Sequence, residues 1–163
     1  MSEQAFDRIA IDALIATYTI NGDRGRVEDQ VAVFCEDAIL ATQTWVGMGR
    51  AGIYKALSAV LKEAPSPAGD APRRLMRHHL TSSLISFMSP DEARGRTYWI
   101  NFTEVEMDHS GLYSDHFRRM DGEWRIARRE IRIDWRSPTS RIDPRIIPFG
   151  NLPGMPPPPV ITG

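Results

Sequence analysis

The stretch that decides the fold is "GLYSDHFRRMDGEWRIARREIRIDW", residues 111–135. It contains two runs in which apolar and polar residues alternate, and Asp121-Gly122 joins them. Alternation with a period of two is typical of β-strands. An Asp-Gly pair between two such runs indicates a tight hairpin turn. The stretch therefore predicts two antiparallel strands, over 111–120 and 123–135.

The second of these strands changes phase along its length. Trp124 and Ile126 lie on even positions, whereas Ile131, Ile133 and Trp135 lie on odd positions. Both sets can face one core only if an extra residue stands between them. We therefore predict a β-bulge near residues 128–130, which would bend the sheet.

Two more strands are predicted upstream, over 75–88 and 94–107. The turn signals "SPDE" (89–92) and "DHSG" (108–111) bound them, and short turns make sequential strands antiparallel neighbours. On the first of these strands, strict alternation places His78 on one face with Leu80, Ser82 and Leu84.

Helical periodicity dominates the first part of the chain. Ile11, Leu14, Ile15 and Tyr18 recur at the spacing of an amphipathic helix, which we expect to end at Asn21-Gly22. Downstream we predict a short helix with Val27, Val31 and Phe34 on one face, one or two short strands over 37–47, a third helix over 50–64, and a loop over 65–74.

Helices followed by an antiparallel sheet define an α+β fold, with the helices packed on one face of a curved sheet. The sequence divides into a domain over residues 1–136 and a proline-rich tail over 137–163, which holds eight of the twelve prolines. So many prolines exclude a helix or a central strand. The tail is expected to be extended, either disordered or lying on its own domain or a neighbouring subunit through Ile146, Ile147, Phe149 and Leu152.

Composition excludes several classes of function. The 163 residues suit one domain, and the formal net charge of -1 without a basic stripe argues against nucleic-acid binding. Cys35 is the single cysteine, so an internal disulfide is excluded. We see no leader segment and no apolar run long enough to cross a membrane. We predict a cytoplasmic protein with no membrane partner.

Two motifs are interpreted as structural rather than chemical. "GMGRAG" (47–52) matches G-x-G-x-x-G but lacks the parallel strand and acidic residue of a dinucleotide site, so we interpret it as a strand-to-helix turn. No two histidines stand four apart on a helix and no cysteine pair supports them, so no metal site is expected. His109 is placed in a turn and exposed to solvent, and His116 is expected to be buried or interfacial.

His78 is the candidate for chemistry. Asp23 follows the first helix, and a carboxylate beside an imidazole fixes which ring nitrogen holds the proton. The other nitrogen then acts as a base, and Tyr18 offers a hydroxyl to the same cavity, a set that suits proton abstraction or elimination. From the residues alone, the alternative of a core histidine satisfied by one hydrogen bond stays open.

The pieces "ATYTINGDRGRVEDQVAVFCEDAIL", "GMGRAGIYKAL", "RHHLTSSLISF" and the opening stretch stand in the order found in one family. Together they resemble the SnoaL-like branch of the NTF2-like superfamily, and most of all its scytalone dehydratase, bile-acid dehydratase and hexachlorocyclohexane dehydrochlorinase members. The resemblance implies a cone-shaped α+β barrel, no metal or organic cofactor, and a homotrimer or homodimer. Asp23 and His78 fall on the aspartate and histidine positions of those enzymes, and Tyr18 matches a pocket tyrosine of the bile-acid dehydratases.

Two further residues are assigned to substrate binding on this resemblance. Asn101 lies near the place of a second acid or histidine of the relatives, and Arg129 is suited to an anionic or carbonyl group. The prediction is a cofactor-independent lyase, dehydratase-like, or an isomerase, acting on a hydrophobic cyclic molecule. In it His78 is the base, Asp23 stabilises the imidazolium, and Tyr18 polarises or protonates the departing oxygen. The alternative is a non-catalytic ligand-binding or accessory subunit of the same fold.

Overall fold

The computed structural model describes residues 3–63, 75–104, 106–140 and 160–163. Within this part the chain forms three helices: α1 (Glu3–Asp23), α2 (Val27–Val31) and α3 (Gly49–Glu63). It also forms seven strands: β1 (Phe34–Ala41), β2 (Val46–Met48), β3 (Met76–Ser89), β4 (Glu92–Thr103), β5 (Glu106–Met120), β6 (Glu123–Arg136) and β7 (Val160–Ile161).

The strands make one sheet in the order β3-β4-β5-β6-β1-β2-β7. The four long strands β3 to β6 are sequential antiparallel neighbours, as their turn signals predicted, while β1 runs parallel to β6. The sheet is curved but not closed, with β3 and β7 at its edges, and the helices pack against it. The predicted α+β, NTF2-like fold is therefore confirmed.

An extra residue in β6 produces the predicted change of phase for Ile131 and Ile133. The same prediction was wrong for Trp135, because a further bulge at Asp134 leaves it 41% exposed. Phe117 pairs with Ile126 while His116 pairs with Arg128, so Ala127 is the bulged residue. The bulge lies one position before the predicted range. It turns both Ile126 and Arg129 inward, where each is fully buried.

A second bulge, in β3, contradicts the strict alternation expected there. Leu80 pairs with Trp99 and Ser83 with Thr97, so β3 has one residue more than β4 between these pairs. Beyond Leu80 the inward side chains are therefore on odd positions, and Leu84 is 67% exposed. The prediction that Ser82 and Leu84 share the face of His78 was wrong.

The predicted turn at 108–111 was also wrong. These residues belong to β5, and the chain turns from β4 to β5 between Thr103 and Glu106, where Glu106 has φ 74°. A bulge in β5 then places two consecutive residues, Asp108 and His109, inside the protein. His109, predicted to be exposed to solvent, is 7% exposed.

Helix α1 continues to Asp23, one residue past the predicted stop at Asn21-Gly22. It ends in a Schellman motif, in which the Arg26 N–H donates to the Asn21 carbonyl at 2.9 Å and the Gly25 N–H to the Gly22 carbonyl at 3.0 Å. Gly25 provides the left-handed residue, with φ 67°. This motif makes Asp23 the last helical residue and fixes the backbone position from which its side chain extends.

The other helices differ from the predictions only at their ends. Phe34 does not continue the second helix but opens β1, where it is fully buried. The glycine motif is a strand-to-helix turn, as predicted, since β2 ends at Met48 and Gly49 starts α3 with φ 68°. A Cβ at Gly52 would overlap the Ile161 carbonyl oxygen of β7, so glycine is needed for this close approach.

Val160 and Ile161 form an edge strand, β7, which pairs in parallel with β2. The predicted loop at 65–74 and the tail residues Ile146, Ile147, Phe149 and Leu152 lie outside the described residues.

Candidate active site

The candidate site lies at one end of the sheet. Because β3, β4 and β5 alternate in direction, the start of β3, the end of β4 and the start of β5 meet there. His78 is paired with Asn101, and Asn101 with His109, so three polar residues form one row across three strands. The next row is apolar and contains Leu80, Trp99, Gly111 and Ile133.

The end of helix α1 adds Asp23 to this row. The Asp23 carboxylate contacts His78 twice, with Oδ1 at 2.6 Å from Nδ1 and Oδ2 accepting the backbone N–H at 2.9 Å. The Asp23 side chain is 5% exposed and the His78 side chain 19%. A carboxylate is unfavourable at the C-terminal end of a helix, and the two donors of His78 compensate it. When Nδ1 donates to Asp23, Nε2 of the neutral imidazole is the acceptor.

A second aspartate–histidine pair, which the sequence analysis missed, faces the first. Asp108 Oδ2 lies 2.6 Å from His109 Nδ1. Ser140 Oγ donates to the same oxygen at 2.7 Å and Thr103 Oγ1 donates to Oδ1 at 3.3 Å. Burial raises the pKa of Asp108, but the hydrogen bonds from Ser140 and His109 outweigh it and hold the pKa below its usual value. The carboxylate therefore stays ionised.

In the sequence, the only indication of this pair is that Asp108 and His109 are adjacent. Neighbouring residues of a regular strand point to opposite faces, so the pair requires the β5 bulge, and "DHSG" has the composition of a turn.

Asn101 lies beside the second pair. It is 1% exposed, and its Nδ2 lies 3.4 Å from His109 Nε2. Its Oδ1 is buried without a hydrogen-bond partner among the described residues. The structure thus places Asn101 between the two histidines in the row, while its substrate-binding role stays a prediction.

Trp99 contacts both imidazoles. Its ring centroid lies 5.5 Å from that of His78 and 5.4 Å from that of His109, and the ring stacks on Tyr113 at 5.6 Å. A Cβ at Gly111 would overlap the Arg132 carbonyl oxygen and would come 2.7 Å from the Trp99 ring. Glycine at this position therefore leaves room for the indole.

Arg129 forms a separate buried cluster with Asp115, Tyr18 and Tyr113, here called the Arg129 cluster. Its Nε and Nη2 each donate to Asp115 at 2.7 Å, and both side chains are fully buried. The guanidinium carbon lies 4.3 Å from the ring centroids of Tyr18 and Tyr113. Burial lowers the pKa of Arg129, but Asp115 outweighs it and the pKa is raised. Asp115 thus balances the charge that was predicted to bind a substrate, and that role stays a prediction.

Tyr18 belongs to the Arg129 cluster and not to the row of histidines. It is 4% exposed, and its ring meets Phe34 and Tyr113 edge-on. Burial raises the pKa of Tyr18 to about 12, partly opposed by Arg129 and by a hydrogen bond with Gln30. Its hydroxyl is therefore neutral and able to donate near pH 7.

Two surface grooves of about 640 and 350 Å³ lie along the N-terminal half of α1, and neither is lined by Asp23 or His78. The histidine row is instead reached through the 19% exposure of His78. Among the described residues, no three or more His, Cys, Asp or Glu side chains are grouped to hold a metal ion.

In the described ranges no helix is both long and apolar enough to pass through a bilayer. Cytoplasmic location and a homotrimer or homodimer stay predictions.

A curved open sheet covered by helices, with polar side chains held inside one end, defines an NTF2-like protein. The SnoaL-like domain family matches residues 3–130, and the chain belongs to this family. No curated protein sequence matches the chain.

Three solved structures show the same fold. A Mycobacterium tuberculosis protein of unknown function is 28% identical, with TM-score 0.68 over 81% of this chain and 74% of that one. A candidate scytalone dehydratase from Novosphingobium aromaticivorans DSM 12444 is 23% identical, with TM-score 0.68 over 82% and 88%. A hexachlorocyclohexane dehydrochlorinase from Novosphingobium barchaimii LL02 is 17% identical, with TM-score 0.70 over 85% and 94%.

Proposed function

We propose that this protein is a cofactor-independent lyase or isomerase that acts on a hydrophobic cyclic small molecule. The observation that supports it most is the 2.6 Å contact between Asp23 Oδ1 and His78 Nδ1 at the end of the sheet. The SnoaL-like family and the dehydratase and dehydrochlorinase of the same fold agree with this kind of reaction.

In the proposed reaction, His78 Nε2 takes a proton from a carbon that a neighbouring carbonyl makes acidic. The C–H electron pair forms a new double bond, and in a lyase the adjacent bond breaks, so that the leaving group departs with its electron pair. The carboxylate of Asp23 stabilises the imidazolium that results. In an isomerase the proton returns to a different carbon instead. Base catalysis of this kind contributes about 10²–10⁴-fold.

The remaining residues are proposed to bind the substrate. Tyr18, kept neutral by burial, donates a hydrogen bond to a substrate oxygen. Asn101 and Arg129 each have one polar atom, Oδ1 and Nη1, that is buried without a partner in the described residues. In the proposed complex a substrate hydroxyl donates to Oδ1, and a substrate carbonyl oxygen accepts from Nη1. The neighbouring row of Leu80, Trp99 and Ile133 suits a hydrophobic ring.

Proton abstraction can be tested before the natural substrate is known. The probe is 1-tetralone, a cyclic ketone whose α-protons exchange with deuterium when a base removes them, and NMR measures the rate. The variant His78→Gln should lose about 10²-fold or more of the catalysed exchange. The control is His79→Gln, because His79 is exposed on the opposite face, against Phe102 at 5.1 Å. Full activity in a folded His78→Gln protein would refute the proposal.

A binding or accessory protein is the second candidate. One contact favours it: Asp23 Oδ2 accepts the backbone N–H of His78, a bond that ties α1 to β3 and that base catalysis does not require. This candidate predicts that the protein binds the ketone without accelerating exchange, and that His78→Gln lowers thermal stability alone.

A further inference from the structure

The two aspartate–histidine pairs lie side by side against the Trp99 ring, and the proposed function uses only one of them. We propose that His109 donates the proton to the leaving group, and therefore that the group lost is a hydroxyl and not a halide. This inference rests on the proposed function, because it requires that His78 removes the substrate proton.

The spacing of the two rings suits one small substrate. Their centroids lie 6.4 Å apart and their planes are at 90°, too far for a direct hydrogen bond. Both rings contact the same Trp99 indole, at 5.5 and 5.4 Å. A ring lying against Trp99 would present a carbon-bound proton to His78 and a substituent on the next carbon to His109.

The surroundings of His109 equip it to hold and release a proton. The Asp108 carboxylate is 2% exposed and accepts bonds from His109, Ser140 and Thr103. A buried anion in contact with Nδ1 stabilises the protonated imidazole. The proton that is transferred is then the one on Nε2, the nitrogen that faces Asn101.

Asn101 can serve both protonation states of His109. When Nε2 is bare, the amide Nδ2 donates to it at 3.4 Å. When Nε2 is protonated, a half-turn of the amide presents Oδ1 as the acceptor. That oxygen is otherwise buried with no partner in the described part of the chain. If His109 gains and loses a proton during the reaction, it needs a neighbour that can both donate and accept. The unpaired Oδ1 of Asn101 supplies the acceptor.

Counting protons and electron pairs in the elimination step shows how loss of a hydroxyl differs from loss of a halide. His78 takes the α-proton, its C–H pair becomes the double bond, and the C–O pair goes to oxygen, which receives the His109 proton and leaves as water. One proton then returns from His78 to His109 through solvent, which reaches both side chains (19% and 9% exposed). Chloride is stable as an anion, so its loss does not need His109.

The test uses two probes that give the same product. 3-Hydroxy-1-tetralone loses water and 3-chloro-1-tetralone loses hydrogen chloride, and both yield 1-naphthol, which is measured by fluorescence after subtraction of the uncatalysed rate. The variant His109→Gln should lose about 10²-fold or more on the hydroxy probe. It should retain elimination from the chloro probe and α-proton exchange of 1-tetralone. His116→Gln, a half-buried histidine on the same strand, should change none of the three rates.

A second variant keeps the test informative if His109→Gln folds poorly. Ser140→Ala removes one donor to Asp108 and leaves both histidines in place. As a positioning residue, Ser140 should affect the hydroxy probe selectively, with the chloro probe unchanged. A purely structural role would lower both rates together.

Four outcomes would overturn the inference. Equal losses on the two probes in His109→Gln would assign it a structural role, and an unchanged hydroxy rate would assign it none. Wild-type protein that eliminates chloride but not water would overturn the inference and leave the proposed function standing. Wild-type protein that neither exchanges the α-protons of 1-tetralone nor eliminates from either probe would contradict the proposed function and this inference together.

Discussion

Arg129 and Asp115 show how a single charged residue can be held in the core. The two side chains are fully buried and joined by two hydrogen bonds of 2.7 Å, and the Tyr18 and Tyr113 rings contact the guanidinium. A buried ion pair gives little net stability, but the loss of one partner leaves an uncompensated buried charge.

We therefore expect Asp115→Asn to lower the free energy of unfolding by about 3–5 kcal/mol, as measured by urea denaturation. The matched control is Asp37→Asn, which breaks the pair with Arg118 at the surface, where the Asp37 side chain is 70% exposed. That change should cost less than about 1 kcal/mol. Equal losses in the two variants would contradict the argument.

At the scale of residues, the prediction that Asp23 and His78 form a pair depended on the resemblance to the SnoaL-like family. Asp23 and His78 lie 55 positions apart, and no local pattern indicates that they meet. The Asp108–His109 pair is local but was missed, because alternation along a strand assigns neighbours to opposite faces. Arg129 was found as a candidate, but its partner Asp115 was not, because the bulge of β6 sets the register between them.

At the scale of elements, helices and hairpins were predictable where periodicity is strong. The hairpin of β5 and β6 follows from alternation and Asp121-Gly122, and Gly122 has φ 82°, as such a turn requires. Bulges were predictable only when the hydrophobic pattern changes phase, as in β6. In β3 the sequence "LTSSL" (80–84) contains no such change, so its extra residue could not be seen.

The site depends most on the geometry of the C-terminal end of α1, which positions Asp23. Gly25 has φ 67° and its Cα faces Leu61, with a Cβ expected 3.4 Å from that side chain. We expect Gly25→Ala to lower the free energy of unfolding by about 1–2 kcal/mol, since a left-handed residue with a Cβ is strained.

Gly25→Asn is the control for this prediction, because asparagine tolerates the left-handed conformation better than alanine. In thermal or urea unfolding, the stability of the Gly25→Asn protein should lie between that of the wild-type protein and that of Gly25→Ala. An alanine variant as stable as the wild-type protein would show that the helix end does not need this conformation.

At the scale of the whole molecule, the fold brings both aspartate–histidine pairs to one end of an open curved sheet. The β6 strand ends there too, and the segment after it returns to the site: the Ser137 N–H donates to the Asp108 carbonyl at 2.7 Å, and Ser140 binds the Asp108 carboxylate. The start of the predicted proline-rich tail is thus part of the site. Composition alone gave no sign of this.

This arrangement makes the stability of the fold depend on pH. The pKa of Asp108 is lowered in the folded protein, so its contribution is fully present above the unfolded value of about 3.9 and is lost as the pH falls through the folded value. Urea unfolding measured from pH 7 downward should show this loss. The Asp108→Asn protein should be less stable at neutral pH, and its stability should fall less steeply as the pH is lowered. An unchanged acid limb in the variant would contradict the prediction.

The most direct test of the central claim, that Asp23 and His78 act as one base, is a double-variant cycle on the deuterium exchange of 1-tetralone. The account predicts that His78→Gln, Asp23→Asn and the double variant all fall to nearly the same low rate, because residues that act as a unit lose their function together. Exchange at the wild-type rate in Asp23→Asn, or losses that multiply in the double variant, would contradict it.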